Sequence, residues 1–130
     1  MGQMGHIAIG NSESERVIIE IVGRGAEEWA IAHVEVACDA WRGAFRCEFC
    51  AGELHQFGKE IQQLYRTLDG TAKLAPIEPN LELKLTGDGK GHITVAGKAV
   101  AQFHTGTYLI FNFSLDQTQL PAIAAALLRT

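Results

Sequence analysis

The sequence predicts an α+β fold. We expect a mainly antiparallel, twisted β-sheet of about six or seven strands, with a central helix and a C-terminal helix packed on one face. Two observations predict this architecture. One stretch, residues 53–68, has apolar residues at steps of three and four, the period of a helix with one buried face. Most of the remaining chain alternates apolar and polar residues, the period of a half-buried strand.

The strands are expected before and after the central helix. They cover residues 6–10, 16–22, 29–38, 44–50, 81–86, 92–103 and 108–115. Residues 71–79 contain Pro76 and Pro79, so this stretch is expected to be an edge or a connection, because proline cannot donate to a central strand. An irregularity is expected at Gly97. At 130 residues the chain is the size of one domain, and residues 1–130 are expected to form a single domain.

The two helices have recognisable ends. The central helix is expected to begin at Glu53 and end at Leu68, with Gly70 supplying the left-handed residue that closes it. Its apolar stripe consists of Leu54, Phe57, Ile61, Leu64, Tyr65 and Leu68. Asp116 is expected to cap the C-terminal helix, because Pro121 follows in the first turn, where a missing N–H costs little.

Composition and charge exclude several classes of function. The net charge of -4 and the pI near 5.7 argue against nucleic acid as a partner, since a phosphate-backbone binder needs a basic stripe. No run reaches the ~18 apolar residues that a membrane span requires. The N-terminal stretch lacks the pattern of a signal peptide. Three cysteines do not make a disulfide framework. We therefore expect a cytoplasmic protein that does not bind membranes.

Two motifs invite a chemical interpretation that their context opposes. Cys47 and Cys50 have the spacing of a zinc or redox pair, but they lie three apart on an expected strand, so their side chains should point to opposite faces. Gly87, Gly89 and Gly91 resemble a phosphate loop, but a strand follows where a phosphate loop needs a helix N-terminus. The five histidines share no metal-ligand spacing. We expect no catalytic residue, no metal and no cofactor.

Several stretches between residues 41 and 128 carry a family resemblance. They are Trp41-Arg-Gly-Ala-Phe45, the helical pattern from Glu53 to Leu68, Asn80-Leu-Glu-Leu83, Gly91-His-Ile-Thr-Val95, and Phe111-Asn-Phe113 running into Asp116-Gln-Thr-x-Leu120-Pro121. The last of these is the most specific. Together they resemble the WapI-type bacterial immunity proteins and related small domains of unassigned function. The resemblance implies a small cytoplasmic protein that binds a cognate toxin domain and blocks it, and it implies no catalytic residue.

Alternation of side chains along the strands predicts which residues would contact such a partner. We expect the contact surface on the sheet face away from the helices. Its residues are Trp29, Glu35, Arg46, Glu48, Glu82 and Lys84. Trp29 is preferred to Trp41 as an interface residue, because Trp41 directly precedes an inward-facing set and is expected in the core.

Two other classes of function stay open at this point. The first is a small-molecule binder or enzyme with a pocket between sheet and helix, to which His33 or His92 would contribute. The second is a structural module that forms a homodimer through an open sheet edge, a risk that residues 16–22 would carry if they were left unpaired.

Overall fold

The fold was obtained as a computed structural model that describes residues 5–130. These residues form eight β-strands and two α-helices. In chain order the elements are β1 His6–Ile9, β2 Glu15–Arg24, β3 Ala30–Cys38, β4 Trp41–Phe49, α1 Glu53–Thr67, β5 Asp69–Leu74, β6 Leu81–Asp88, β7 His92–Ala99, β8 Leu109–Asp116 and α2 Leu120–Leu128. The predicted α+β class, with antiparallel strands, a central helix and a C-terminal helix, is confirmed.

The strands divide into two sheets of four, where we expected about six or seven strands in one sheet. The strand order is β1-β2-β3-β4 in the first sheet and β5-β6-β7-β8 in the second, and every pair is antiparallel. Each strand therefore pairs only with its neighbours along the chain. The 15-residue helix α1 separates β4 from β5, so the chain begins a second sheet after it.

One apolar core joins both sheets and both helices. Its largest fully buried side chains include Phe49, Phe57, Ile61, Leu120 and Leu127. Within residues 5–130, no polar or charged side chain is classed as buried. The two helices pack closely against each other, since a Cβ atom added to Gly58 of α1 would lie 3.0 Å from the Cβ atom of Leu127 in α2. Burial of apolar surface is therefore the main stabilising contribution to this fold.

Helix α1 confirms the predicted stripe at four positions, since Leu54, Phe57, Ile61 and Leu64 are buried. Tyr65 is 45% exposed. The prediction for the helix end was wrong in one detail: Leu68, with φ 61°, adopts the left-handed conformation, whereas Gly70 lies within β5. Leu68 is fixed there because its N–H donates to the Leu64 carbonyl at 2.7 Å and its carbonyl accepts from the Gly89 N–H at 2.7 Å.

The prediction that Asp116 caps the C-terminal helix is confirmed, with a short turn between the cap and the helix. The Asp116 carboxylate accepts from the backbone N–H of Thr118 at 3.0 Å and from its hydroxyl at 2.7 Å. These bonds cap a short 3-10 turn, Gln117–Gln119, and α2 begins directly after it with Pro121 in its first turn. Hydrogen bonds from Thr118 lower the pKa of Asp116, the side-chain bond most strongly.

The irregularity predicted at Gly97 is absent: this residue pairs in regular register with Leu83 and Phe111. A Cβ atom at Gly97 would lie 2.3 Å from the Phe111 ring, so the glycine is needed to make room for that ring. A register shift occurs instead in β2, between Ile21 and Gly23.

The edges of the two sheets differ in how they are protected. Strand β1 is only four residues long. Strand β5 is flanked by α1, and the Glu60 carboxylate accepts from the backbone N–H of Lys73 at 2.9 Å. On β8, the Asn112 carbonyl accepts from the Cys38 thiol at 3.3 Å. Strand β4 is a nine-residue edge. Residues 16–22, which would favour self-association if they were unpaired, lie in β2, and β2 is paired with β1 on one side and β3 on the other.

None of the helices in the described part of the chain is long and apolar enough to cross a membrane.

Candidate functional site

A large apolar cleft lies between the end of the β3–β4 hairpin and the connection from β7 to β8. Its volume is about 490 Å³. One wall belongs to the first sheet and the other to the second. The lining residues are Val36, Trp41, Arg42, Gly43, Ala44, Phe45, Ala99, Ala101, Gln102, Thr105, Thr107, Tyr108 and Leu109. A cleft of this size and character can accept an apolar side chain of a partner or a small apolar ligand.

Exposed aromatic side chains border this cleft. Trp41 is 68% exposed and Tyr108 is 55% exposed. The Nζ atom of Lys98 lies 4.6 Å from the centre of the Tyr108 ring, a cation–π contact that holds the ring in place. Clustered exposed apolar side chains of this kind mark interaction surfaces, and tryptophan and tyrosine are enriched where binding energy concentrates.

Local chain geometry explains why the cleft exists. The hairpin turns at Asp39, whose φ is 54°, so Cys38 pairs directly with Trp41. Trp41 therefore stands at the end of the hairpin, where the second sheet does not cover it. Two residues later Gly43 has no side chain, and a Cβ atom built there meets nothing within 4 Å. The missing side chain leaves the cleft open beside β4.

Two arginines lie on β4, and Arg42 is the one that lines the cleft. The Nη1 atom of Arg42 donates to the backbone carbonyl of Glu13 at 3.1 Å, a bond that fixes the side chain without neutralising its charge. The Nη2 atom of Arg46 lies 3.4 Å from the Glu48 carboxylate, and both side chains are largely solvated. Such an exposed pair contributes about 0–1 kcal/mol and leaves both charges available to a partner. The outer face of β4 therefore carries two arginines and Glu48, and Glu35 lies opposite Ala44 on β3.

The six predicted contact residues are not brought together. Glu35, Arg46 and Glu48 lie on β3 and β4 of the first sheet, whereas Glu82 and Lys84 lie on β6 of the second. Trp29 is half-buried and precedes β3, at the end of a short 3-10 turn. The set is thus split between two sheets, and none of the six residues lines the cleft. Their role in binding stays a prediction.

The expectation that Trp41 lies in the core was wrong, because its side chain is 68% exposed. Trp29 is half-buried, and its preferred role at an interface stays a prediction. Two signals in the sequence could have identified the site. Gly43 within a strand marks a place where no side chain fills the space beside the backbone. Tyr108 follows Gly106, which has φ 73°, in a segment without regular alternation.

Neither of the two histidines proposed for a pocket between sheet and helix lines this cleft between the two sheets. His33 is exposed on the outer side of β3. His92 lies at the β6–β7 turn, with Nδ1 3.3 Å from the Asp88 carboxylate. Asp88 also accepts from the backbone N–H of Lys90 at 2.7 Å, and this bond is the main reason why its pKa is lowered. The glycine-rich stretch is a hairpin turn, as predicted.

The cysteines do not form a reactive or metal-binding pair. Cys47 is buried, and desolvation raises the pKa of its thiol to about 12, so the thiol is protonated at neutral pH. Cys50 is only half-buried, and all three cysteines are free thiols. Among residues 5–130, no group of three histidine, cysteine, aspartate or glutamate side chains is arranged to hold a metal ion.

Comparison with known families identifies the chain more closely than its fold does. Residues 8–130 match the model of the immunity protein WapI-like family. No curated protein and no solved structure matches the chain. The family match includes the first sheet, which lay mostly outside the resemblance noted over residues 41–128. Because the match covers nearly the whole chain, this protein belongs to the immunity protein WapI-like family.

Proposed function

We propose that this chain is a single-domain, cytoplasmic immunity protein that binds a bacterial toxin domain and blocks it without catalysing a reaction. Its family supports this role. The observation that carries the proposal is the apolar cleft bordered by exposed Trp41 and Tyr108. An inhibitor of this type needs a rigid scaffold and a complementary surface, and it needs no reactive group.

The energetics of the cleft favour a protein partner. Burial of one large apolar side chain contributes about 1.5–3 kcal/mol, so Trp41 and Tyr108 together could supply a substantial part of a binding free energy. The backbone of Trp41 is fixed by its pairing with Cys38, and the Tyr108 ring contacts Lys98. A side chain that already has such a contact, as Tyr108 does, loses less conformational entropy on binding.

The proposal is tested by co-expressing the chain with a toxin domain encoded beside its gene. We expect the wild-type chain to restore growth and to form a stoichiometric complex, measured by calorimetry. The double variant Trp41→Ala, Tyr108→Ala should bind at least about 100-fold more weakly, in line with losses at interface hot spots. Ile77→Ala is the matched control, because Ile77 is 72% exposed and does not line the cleft.

Two results would contradict this proposal. One is failure of the wild-type chain to bind or neutralise the toxin domains encoded beside it. The other is equal loss of binding in the Ile77→Ala control, which would separate the effect from the cleft. The charged residues Glu35, Glu48, Glu82 and Lys84 stay an alternative contact surface, and charge reversal at each position in the same assay measures their contribution.

A small apolar ligand is the second candidate for the cleft. Its volume of about 490 Å³ lies within the range of ligand sites, roughly 300–1,000 Å³. Gly43→Leu would place a side chain in the cleft and should abolish uptake of a fluorescent apolar probe. Uptake of that probe by the wild-type chain, without any toxin binding, would favour this second function.

A further inference from the structure

The backbone of β4 presents alternate hydrogen-bonding groups to its outer side. The Asp39 N–H donates to the Ser14 carbonyl of the chain segment before β2, so Cys38, one residue earlier, directs its groups toward β4. Cys38 pairs with Trp41, and the register continues without interruption to Phe49. In an antiparallel pair, the backbone groups of successive residues point to opposite sides. The backbone groups of Arg42, Ala44 and Arg46 therefore face away from β3.

These three residues define what we call the open edge of β4. All three are exposed. Across the residues that the structure describes, no other strand pairs with this side of β4, and no side chain accepts a hydrogen bond from these three N–H groups. An unprotected edge is a template for an added strand, and proteins commonly protect such edges.

The side chains along the open edge specify the chemistry of an added strand. Arg42 and Arg46 point to the outer face of the first sheet, four residues apart, with the small Ala44 between them. Gly43 lies between these positions on the opposite face, where the cleft opens. Residues of an added strand share the face of the residue opposite them. A matching strand would carry acidic side chains opposite the arginines and an apolar side chain opposite Gly43.

The same arginines disfavour one way in which a second copy of this chain could be the added strand. A two-fold pairing centred on Ala44 would place Arg42 directly opposite Arg46 of the other copy, twice. A pairing centred on Phe45 would make the two Arg46 side chains diagonal neighbours, but it would also place Arg42 opposite Glu48. Like charges opposite each other destabilise a pair of strands. Charged residues on an edge are a known means of preventing self-association.

We propose that the open edge of β4 accepts an extended strand of the partner protein, acidic on its outer face and carrying one apolar side chain into the cleft beside Gly43. This inference rests on the proposed function, since it assigns the binding mode of the protein partner. Up to six backbone hydrogen bonds would form, two at each of Arg42, Ala44 and Arg46. Backbone pairing would supply affinity, and the cleft with the arginines would supply specificity.

A proline substitution tests the open edge without disturbing the rest of the fold. In Ala44→Pro the lost N–H is one that faces away from β3, so the first sheet keeps its internal pairing. Ser114→Pro is the matched control, because Ser114 faces the outer side of the edge strand β8 in the same way. We expect Ala44→Pro to reduce binding of the toxin domain at least about 100-fold, and Ser114→Pro to leave it unchanged.

A peptide experiment tests the inference without a toxin and without a variant. The probe is the capped heptapeptide TELTVET, with TKLTVKT as its basic counterpart, titrated into isotope-labelled wild-type chain. We expect saturable shifts of the amide signals of Arg42, Ala44 and Arg46, with affinity at least about tenfold higher for the acidic peptide. N-methylation of the peptide backbone on the side facing β4 should abolish these shifts.

The outcomes separate this inference from the proposed function. A toxin complex that Ala44→Pro leaves intact would overturn strand addition while the immunity role stands. Failure to find a toxin would leave the peptide titration to decide, and absence of shifts along the open edge would then overturn the inference. A wild-type dimer in sedimentation, dissociated by Ala44→Pro, would assign the edge to a second copy and would also overturn it.

Discussion

The outer edges of β4 and β5 differ in whether another part of the molecule covers them. At β5, helix α1 runs alongside the strand, and the Glu60 carboxylate accepts from the Lys73 N–H at 2.9 Å. At β4, the backbone groups of Arg42, Ala44 and Arg46 have no such partner among residues 5–130. One helix thus protects the second sheet and leaves the first sheet open beside the cleft. Because an element of this fold covers the edge of β5 and none of the described elements covers that of β4, the open edge is a local property of the candidate site.

The largest expected difference between these two regions is in stability. Phe57 of α1 is fully buried, so Phe57→Ala should lower the free energy of unfolding by about 3–5 kcal/mol. Trp41→Ala, beside the cleft, should change it by no more than about 0.5 kcal/mol, because most of this side chain is already in water. Urea unfolding of both variants makes the comparison. A large loss at Trp41 would show that this residue supports the fold and is not reserved for a partner.

Substitutions at two glycines in strands extend the comparison between the packed core and the open cleft. Gly97→Val should destabilise the chain by about 1–3 kcal/mol, because the added atoms would overlap the Phe111 ring. Gly43→Val should be neutral or slightly stabilising, since the new side chain enters empty space and valine favours strands. Thermal unfolding followed by circular dichroism distinguishes these outcomes. Strong destabilisation at Gly43 would mean that the cleft is not free to receive a side chain.

Opening the covered edge of β5 is the third way to test the difference. Glu60→Ala removes the acceptor of the Lys73 N–H and should cost about 0.5–1.5 kcal/mol. The more specific readout is amide hydrogen exchange, which should become faster at Lys73 and stay unchanged at Lys84 on the neighbouring strand. Equal exchange at Lys73 in both forms would show that packing of α1, and not its carboxylate, protects this edge.

Acid should weaken the helix-covered region first, with the smallest effect of the four. The pKa of Asp116 and that of Asp88 are both lowered from 3.8 in the folded chain, so their stabilisation is complete above about pH 4 and is lost as pH falls through the folded values. Asp116 caps the turn that leads into α2. The variant Asp88→Asn, Asp116→Asn should therefore lose less stability between neutral pH and pH 3 than wild type, measured by urea unfolding. An unchanged pH profile would contradict this origin.

The helices and strands of this chain could be predicted because each depends on the spacing of apolar residues along the sequence. The stripe of Leu54, Phe57, Ile61 and Leu64 identified α1, and Asp116 followed by Pro121 identified the entry to α2. Both signals involve residues within a few positions of one another. The alternation of β3 and β8 likewise fixed which side chains are buried, since a strand has only two faces.

The site was less predictable because it depends on contacts between distant segments. Alternation assigns a face to each side chain but does not say which edge of a strand is paired, so the edge strands could not be identified from the sequence. Alternation also does not show how far one sheet extends over the other. Trp41 is exposed because the second sheet does not cover it. Gly97 illustrates the same limit, because the reason for this glycine is the Phe111 ring on another strand.

The meander order of the strands also has a consequence for synthesis of the chain on the ribosome. Every strand pairs with its neighbours along the chain, so each sheet closes only short loops, and short loops form quickly. The four strands of the first sheet precede α1 and can pair while the second half is still being made. Joining of the two halves around α1 and α2 must wait for residues near the C-terminus, since Leu120, Ile123 and Leu127 belong to the shared core. The emerging first sheet therefore exposes its apolar face during translation, and its strand with the longest free edge, β4, is the last of the four to leave the ribosome.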